Sequence, residues 1–245
     1  MKQVFVVLLL LLSNQVFSES FRVALPDEDY PPIHFVDKNN KGILNRVLSK
    51  FSAESGYKIE YVFVPKVRSA KLIHDNHIDA RMESEAWQID NHPHYWSEGI
   101  VIIEDVIITG RYVDPRIFDI KNKFISGVLL GHYGYIYPQY EPLVKNKTLH
   151  RENFYSDLAL LKSLHNNTYE QKRFAIMSRA VFNWYCKKYP EFKQLNMSDF
   201  NVGMEPLQLQ FSHSPRGRAR ADAFNIFLKK LKANGELARI INSYQ

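Results

Sequence analysis

Apolar positions along this chain recur at two different spacings, and the changes of spacing mark its elements. Val4 to Leu12 is an unbroken apolar run of nine residues, short of the roughly 20 that cross a bilayer. Phe21 to Leu25 predicts a buried strand, ended by Pro26 and the acidic loop Asp27-Glu28-Asp29. Between Gly42 and Ser55, the residues Ile43, Leu44, Val47, Leu48 and Phe51 fall at helical spacing, and Gly56 stops the helix. Tyr57, Ile59, Tyr61 and Phe63 then alternate on one face of a strand that Pro65 closes. A short helix over Arg68 to His77 and a strand from Ile78 to Met82 follow. Strand, helix, strand, helix, strand predicts an α/β sheet with crossover helices.

Val101 to Thr109 is a second apolar, β-branched run, interrupted only by Glu104-Asp105. After Gly110 the pattern restarts. Phe124 to Leu130 predicts a strand leading into Gly131-His132-Tyr133-Gly134, and Tyr155 to Leu164 a helix. Phe174 to Met177 predicts a short strand that runs into a helix over Val181 to Lys188. Val202 and Leu207 to Phe211 read as strands, Gly217 to Leu231 as a helix, and a last short helix follows Gly235. Two successive α/β lobes, each of roughly a hundred residues, fit this alternation better than one barrel.

Composition narrows the picture. The chain has 245 residues, 45% hydrophobic and 24% charged, an ordinary globular balance. Its net charge of +6 comes from 32 Lys and Arg against 26 Asp and Glu. The basic residues are scattered, with Arg216, Arg218 and Arg220 the densest cluster; without a basic stripe no nucleic-acid partner is expected. Met1-Lys2, the apolar run, Ser13-Asn14-Gln15 and then Val16-Phe17-Ser18 follow the plan of a secretory signal peptide. Residues 1–18 are expected to be removed before Glu19, leaving 245 − 18 = 227 residues in an exported protein. No cysteine lies near the cut, so no lipid anchor is expected. Cys186 is the one thiol, in an apolar-aromatic stretch that suits a packed structural residue.

Three segments stand in a characteristic order. Asp29-Tyr30-Pro31-Pro32-Ile33 follows the first strand, and Ile78-Asp79-Ala80 leads through Glu83-Ser84-Glu85 to Tyr95-Trp96-Ser97. Leu231-Lys232-Ala233-Asn234-Gly235-Glu236-Leu237 and Ile240-Ile241-Asn242-Ser243-Tyr244 close the chain. Together they resemble the periplasmic solute-binding proteins of family 3, the polar amino-acid type that serves bacterial ABC transporters. The resemblance implies a two-lobed clamp of type II, each lobe a sheet flanked by helices, joined by two hinge crossings near Thr109–Asp114 and Leu207–Ser212. It divides the chain into one lobe of 19–110 with 208–245 and a second of 111–207, with ligand in the cleft. It implies a monomer that binds a small polar solute without turnover and passes it to an inner-membrane ABC permease or a sensor kinase.

Two departures bear on the ligand. Relatives that bind α-amino acids carry an Arg about a dozen residues after the Asp-Ala pair, where this chain reads Trp87-Gln88-Ile89-Asp90-Asn91-His92. The second lobe there supplies an Asp, where this chain reads Phe174-Ala175-Ile176-Met177-Ser178-Arg179. The expectation is therefore an amino-acid-like solute in a different docking pose, or an anionic or amidated one.

The candidate ligand-binding residues follow from position and chemistry. Tyr30 stands at a strand end beside a stiff Pro-Pro turn, suited to stacking or to packing under its own loop. Arg81, Glu83 and Glu85 share a face if the strand continues, giving either a polar cleft wall or an internal Arg81–Glu83 pair. Ser84 and Trp87 adjoin that wall. Gly131 and Tyr133, in the Gly-His-Tyr-Gly turn, place backbone N–H groups where an anion can approach. Arg151 and Arg179 are candidates for holding an acidic group bidentately, with surface pairing as the other reading. His74, His77, His92 and His94 can be drawn as a zinc site with Glu83, Glu85 and Asp90, but Pro93 leaves their geometry open, and no metal or cofactor is expected. No P-loop or Gly-x-Ser-x-Gly elbow is present. An exported hydrolase or lyase on the same clamp, or a ligand-free interaction module, stay open as alternatives.

Overall fold

The computed structural model describes residues 19–37, 39, 41–88, 92–122, 124–166 and 172–244. The expected leader, residues 1–18, lies outside the described residues, as does Ile89-Asp90-Asn91. The first half follows its pattern: β1 (Ser20–Leu25), α1 (Ile43–Ser55), β2 (Lys58–Phe63), α2 (Lys66–His74) and β3 (Ala80–Glu83). α1 buries Ile43, Leu44, Val47, Leu48 and Phe51. It stops at Gly56, whose φ of 77° is the left-handed conformation that a residue without Cβ takes freely. α2 begins at Lys66 rather than Arg68, which sets a lysine directly behind the strand-closing Pro65.

β4 (Tyr95–Trp96) and β5 (Val101–Thr109) come next, then β6 (Gly127–His132), α3 (Glu141–Lys145), β7 (Leu149–Phe154) and α4 (Asp157–His165). β8 (Arg173–Ser178), α5 (Arg179–Lys188), β9 (Asn196–Met197), β10 (Gly203–Phe211), α6 (Pro215–Ala233) and α7 (Glu236–Asn242) complete the order. The apolar pattern does not announce α3 or β7. Among the described residues β7 pairs only with β6, and its sequence Leu-His-Arg-Glu-Asn-Phe keeps polar side chains on an edge strand.

The strands run in the order β2-β1-β3-β10-β5-β8-β6-β7. β1 lies parallel to β2 and β3, and β6 lies parallel to β7 and β8, so each lobe has a parallel centre. β10 joins them: Gly203–Leu207 pairs antiparallel with β5, and Gln208–Phe211 pairs with β3. β5 in turn pairs with β10 over Val101–Asp105 and with β8 over Asp105–Thr109. The result is a mixed α/β, two-lobed fold whose lobes are linked by two adjacent antiparallel strands. Those shared segments, Val101–Asp105 and Gly203–Leu207, begin upstream of the crossing segments that the resemblance implies, because the long strands themselves carry the chain from sheet to sheet.

The arginine cluster has a structural use. Arg220 is 1% exposed, pairs with Glu19 at 2.7 Å and with Asp79, and lies over the rings of Phe21 and Tyr57. It ties α6 to the start of β1. Cys186 is half-buried on α5, and burial pushes its thiol above the ordinary value, as suits a packed residue.

Candidate ligand-binding cavity between the lobes

A cavity of about 350 Å³ lies between the lobes, outside the carboxyl ends of β1, β3, β6 and β8. Ligand crevices of open α/β sheets form at such strand ends. The first lobe contributes Glu28, Tyr30, Lys66, Glu83 and Trp87 to its walls. The second contributes His132, Tyr133, Tyr135, Tyr137 and Asp157, and Asp105 enters from the linking strand β5.

On the first-lobe wall every buried charge has a partner. Glu83, 3% exposed, receives Lys66 Nζ at 3.0 Å on one oxygen and Arg81 Nη2 at 3.1 Å on the other. Arg81 also donates to the side chains of Gln210 and Ser69, which fix its guanidinium behind the wall. Lys66 Nζ lies 5.1 Å from the ring centre of Trp87 and 5.2 Å from that of Tyr135, a cation between two aromatic faces from opposite lobes.

The second wall treats charge differently. Asp157 is the first residue of α4, following Ser156, whose hydroxyl accepts the Ala159 N–H at 3.2 Å. Asp105 stands where β5 faces both Gly203 of β10 and Ser178 of β8. Among the described residues neither carboxylate takes part in a side-chain hydrogen bond or ion pair. Burial raises the pKa of each from 3.8 to about 6, and for Asp105 the charge of Asp157 adds to the effect. The phenols of Tyr30, Tyr135 and Tyr137 are pushed above their ordinary value by burial, and the field of Asp157 adds to each.

Further contacts join the lobes, one of them at the cavity wall. His132 Nε2 lies 2.6 Å from Glu28 Oε1. Burial works against the imidazolium, but the Glu28 carboxylate outweighs it and raises the His132 pKa above 6.5. Phe35 meets Trp184 with ring centres 5.8 Å apart. At the mouth, Tyr133 and Tyr155 pack 5.0 Å apart and remain 49% and 77% exposed, so the rim is aromatic and accessible.

Tyr30, Glu83, Trp87 and Tyr133 thus meet in one cavity, as chosen from the sequence. Ser84, Gly131, Arg151 and Arg179 do not line it. Ser84 is fully buried beside Glu83. A Cβ on Gly131 would come within 2.8 Å of Arg151 Nε, so this glycine makes room for an arginine rather than for an anion. Arg151 bonds to Glu141 at 2.9 Å and to the carbonyls of His132 and Tyr135, fixing the turn that carries the cavity tyrosines. Arg179 pairs with Glu104 at 3.1 Å and reaches Met197 and Ser198. The rings of His74 and His92 stand 4.9 Å apart, but among the described residues no group of three or more His, Cys, Asp or Glu gathers as metal ligands.

Sequence reasoning passed over Lys66, His132, Asp105, Asp157, Tyr135 and Tyr137 as individual site residues. Asp105 left a signal, since Glu104-Asp105 breaks an otherwise apolar run. Asp157 left none: an acid after Ser156 is what the first turn of any capped helix favours.

Neither a protein-family model nor a curated protein sequence matches the chain. Solved structures match it in fold. A mutant of ArgBP from T. maritima superposes with a TM-score of 0.74 at 16% identity, over 92% of this chain and 94% of that one. A histidine kinase sensor domain with similarity to periplasmic binding proteins gives 0.73 at 16% identity, over 92% and 95%. The amino acid ABC transporter substrate-binding protein AbpA from Streptococcus pneumoniae, bound to L-arginine, gives 0.70 at 15% identity, over 92% and 94%. Among the described residues no helix is long and apolar enough to cross a membrane. The chain has the type II periplasmic-binding-protein fold, shared with amino-acid-binding proteins and with a sensor domain.

Proposed function

We propose that this protein captures a small polar solute in the interlobe cavity, without chemical turnover, by closure of the two lobes. The observation that carries this reading is the cavity itself: about 350 Å³, walled by aromatic and charged side chains from both lobes. A hinge accounts for entry. Bending in the paired segments Val101–Asp105 and Gly203–Leu207 moves the lobe that carries β1–β4 against the lobe that carries β6–β9, separating Glu28 from His132 and Lys66 from Tyr135. In this reading the protein is an exported periplasmic monomer whose closed form docks on an inner-membrane ABC permease or a sensor kinase. Neighbours of both kinds share its fold. Tyr30 and Trp87 stack on the solute, and Glu83 and Tyr133 border it.

Native mass spectrometry of the purified protein tests capture directly. A co-purifying small molecule, lost on mild denaturation and refolding, is the expected result. A protein that carries nothing, and neither melts higher nor becomes more compact with any solute, contradicts the reading.

A further inference from the structure

The charges lining the cavity select a kind of solute. Its cationic lining groups are already bonded to protein carboxylates, Lys66 to Glu83 at 3.0 Å and His132 to Glu28 at 2.6 Å. No arginine lines it among the described residues, because Arg151 and Arg179 are held outside by Glu141 and Glu104. An entering carboxylate therefore meets no unengaged cation, and it faces Asp105 and Asp157.

For a positive group the situation is reversed. Asp157 is 7% exposed and lines the cavity, and its carboxylate has no hydrogen-bond or ion-pair partner among the described residues. Asp105 lines the same cavity, and its carboxylate is equally without one. An ion buried without a partner is strongly disfavoured, and a second carboxylate beside it adds repulsion. A cation placed against both removes the two penalties together. The ring faces of Tyr30, Trp87, Tyr135 and Tyr137 supply further negative potential. Lys66 illustrates the fit, with its ammonium already between Trp87 and Tyr135. A second pocket of about 140 Å³ shares Trp87, Asp105 and Tyr137 with the cavity and adds Glu205, another carboxylate for the far end of a longer cation.

We propose that the solute is an organic cation without a carboxylate, an amine or guanidine whose nitrogen lies against Asp157 and Asp105. This rests on the capture reading above and narrows it: the amino-acid-like or anionic solute expected from the sequence is replaced by a decarboxylated one. Binding is coupled to protons. Near pH 6 both carboxyls are partly protonated in the empty cavity, with Lys66, Glu205 and Tyr30 facing Asp105 and with His132, Glu28, Tyr135 and Tyr137 facing Asp157. A bound cation displaces those protons, so its affinity rises as pH rises through that region.

The test is titration calorimetry of the protein with matched pairs that differ by one carboxylate, agmatine against arginine and cadaverine against lysine, with glutarate as the anionic probe. The expected result is that agmatine or cadaverine binds at least tenfold more tightly than its amino acid, and that glutarate does not bind. Asp157→Asn and Asp105→Asn should each weaken the cation at least tenfold. Both variants should fold, since each removes a carboxylate without a side-chain partner, and melting curves check this. Arginine or lysine binding as tightly as its decarboxylated partner, or glutarate binding alone, overturns this inference and leaves capture intact. Binding of no probe, by a protein that nevertheless co-purifies with a small molecule, also overturns it alone. Binding of no probe, with nothing co-purifying, overturns both.

Discussion

Glu83 and Asp157 are carboxylates buried in the walls of one cavity, 3% and 7% exposed. Glu83 holds Lys66 and Arg81 within 3.1 Å, while Asp157 has no ion-pair partner among the described residues. The first wall is complete in itself: its charges cancel, its guanidinium is anchored by Gln210, and it needs nothing from solution. The second is incomplete, and its pKa near 6 records what burial without a partner does to an acid. Neutral, bonded charge inside a protein builds structure; unpartnered charge facing a cavity asks for a ligand.

Removing a carboxylate should therefore have opposite consequences on the two walls. Glu83→Gln leaves Lys66 and Arg81 adjacent with no anion between them. A loss of about 3–5 kcal/mol is expected, seen as a fall in melting temperature on the order of 10 °C. Asp157→Asn should stabilise the empty protein instead. A carboxyl raised from 3.8 to about 6 opposes folding by roughly 2–3 kcal/mol at neutral pH, and denaturant unfolding at pH 7.5 should recover part of that. If both substitutions destabilise alike, the contrast between the walls fails.

The pH dependence sharpens the same point. Between about 4 and 6 the folded protein keeps protons on Asp105 and Asp157 that the unfolded chain has released, so their contribution to stability falls as pH rises through that window. Melting curves of the wild type against the double variant Asp105→Asn with Asp157→Asn should diverge there, with the variant losing less. His132 has the other sign: its pKa is raised by Glu28, so that cross-lobe contact is fully present below the ordinary histidine value and lost as pH climbs through the raised one. Glu28→Gln should remove this pH response of compaction in X-ray scattering and weaken solute binding by roughly threefold to tenfold, the net reach of one ordinary hydrogen bond. The smallest effect belongs to Arg179→Ala. Its guanidinium is spent on Glu104, so solute affinity should change by less than about twofold, within what a surface pair contributes.

Much of the fold was legible because apolar spacing reports burial, and burial decides which faces pack. α1 and β2 follow their patterns closely, and Tyr30, Glu83 and Trp87 reach the cavity that their strand-end positions suggest. β7 was not legible, since an edge strand needs no apolar alternation. Arg151 and Arg179 misled for a different reason. A sequence shows that an arginine exists but not which carboxylate has already taken it, and Glu141 and Glu104 lie 10 and 75 residues away from them in the numbering. Asp157 was hidden by resemblance to an ordinary helix start, and only the cavity in front of it gives it another meaning.

The most direct test is the melting temperature of the wild type and of Asp157→Asn, each with and without saturating agmatine, at pH 7.5. A ligand that binds only the folded state raises the melting point by mass action. The account predicts a clear rise for the wild type and little or none for Asp157→Asn, which starts from the higher melting point of the two. Equal rises in both proteins would contradict it.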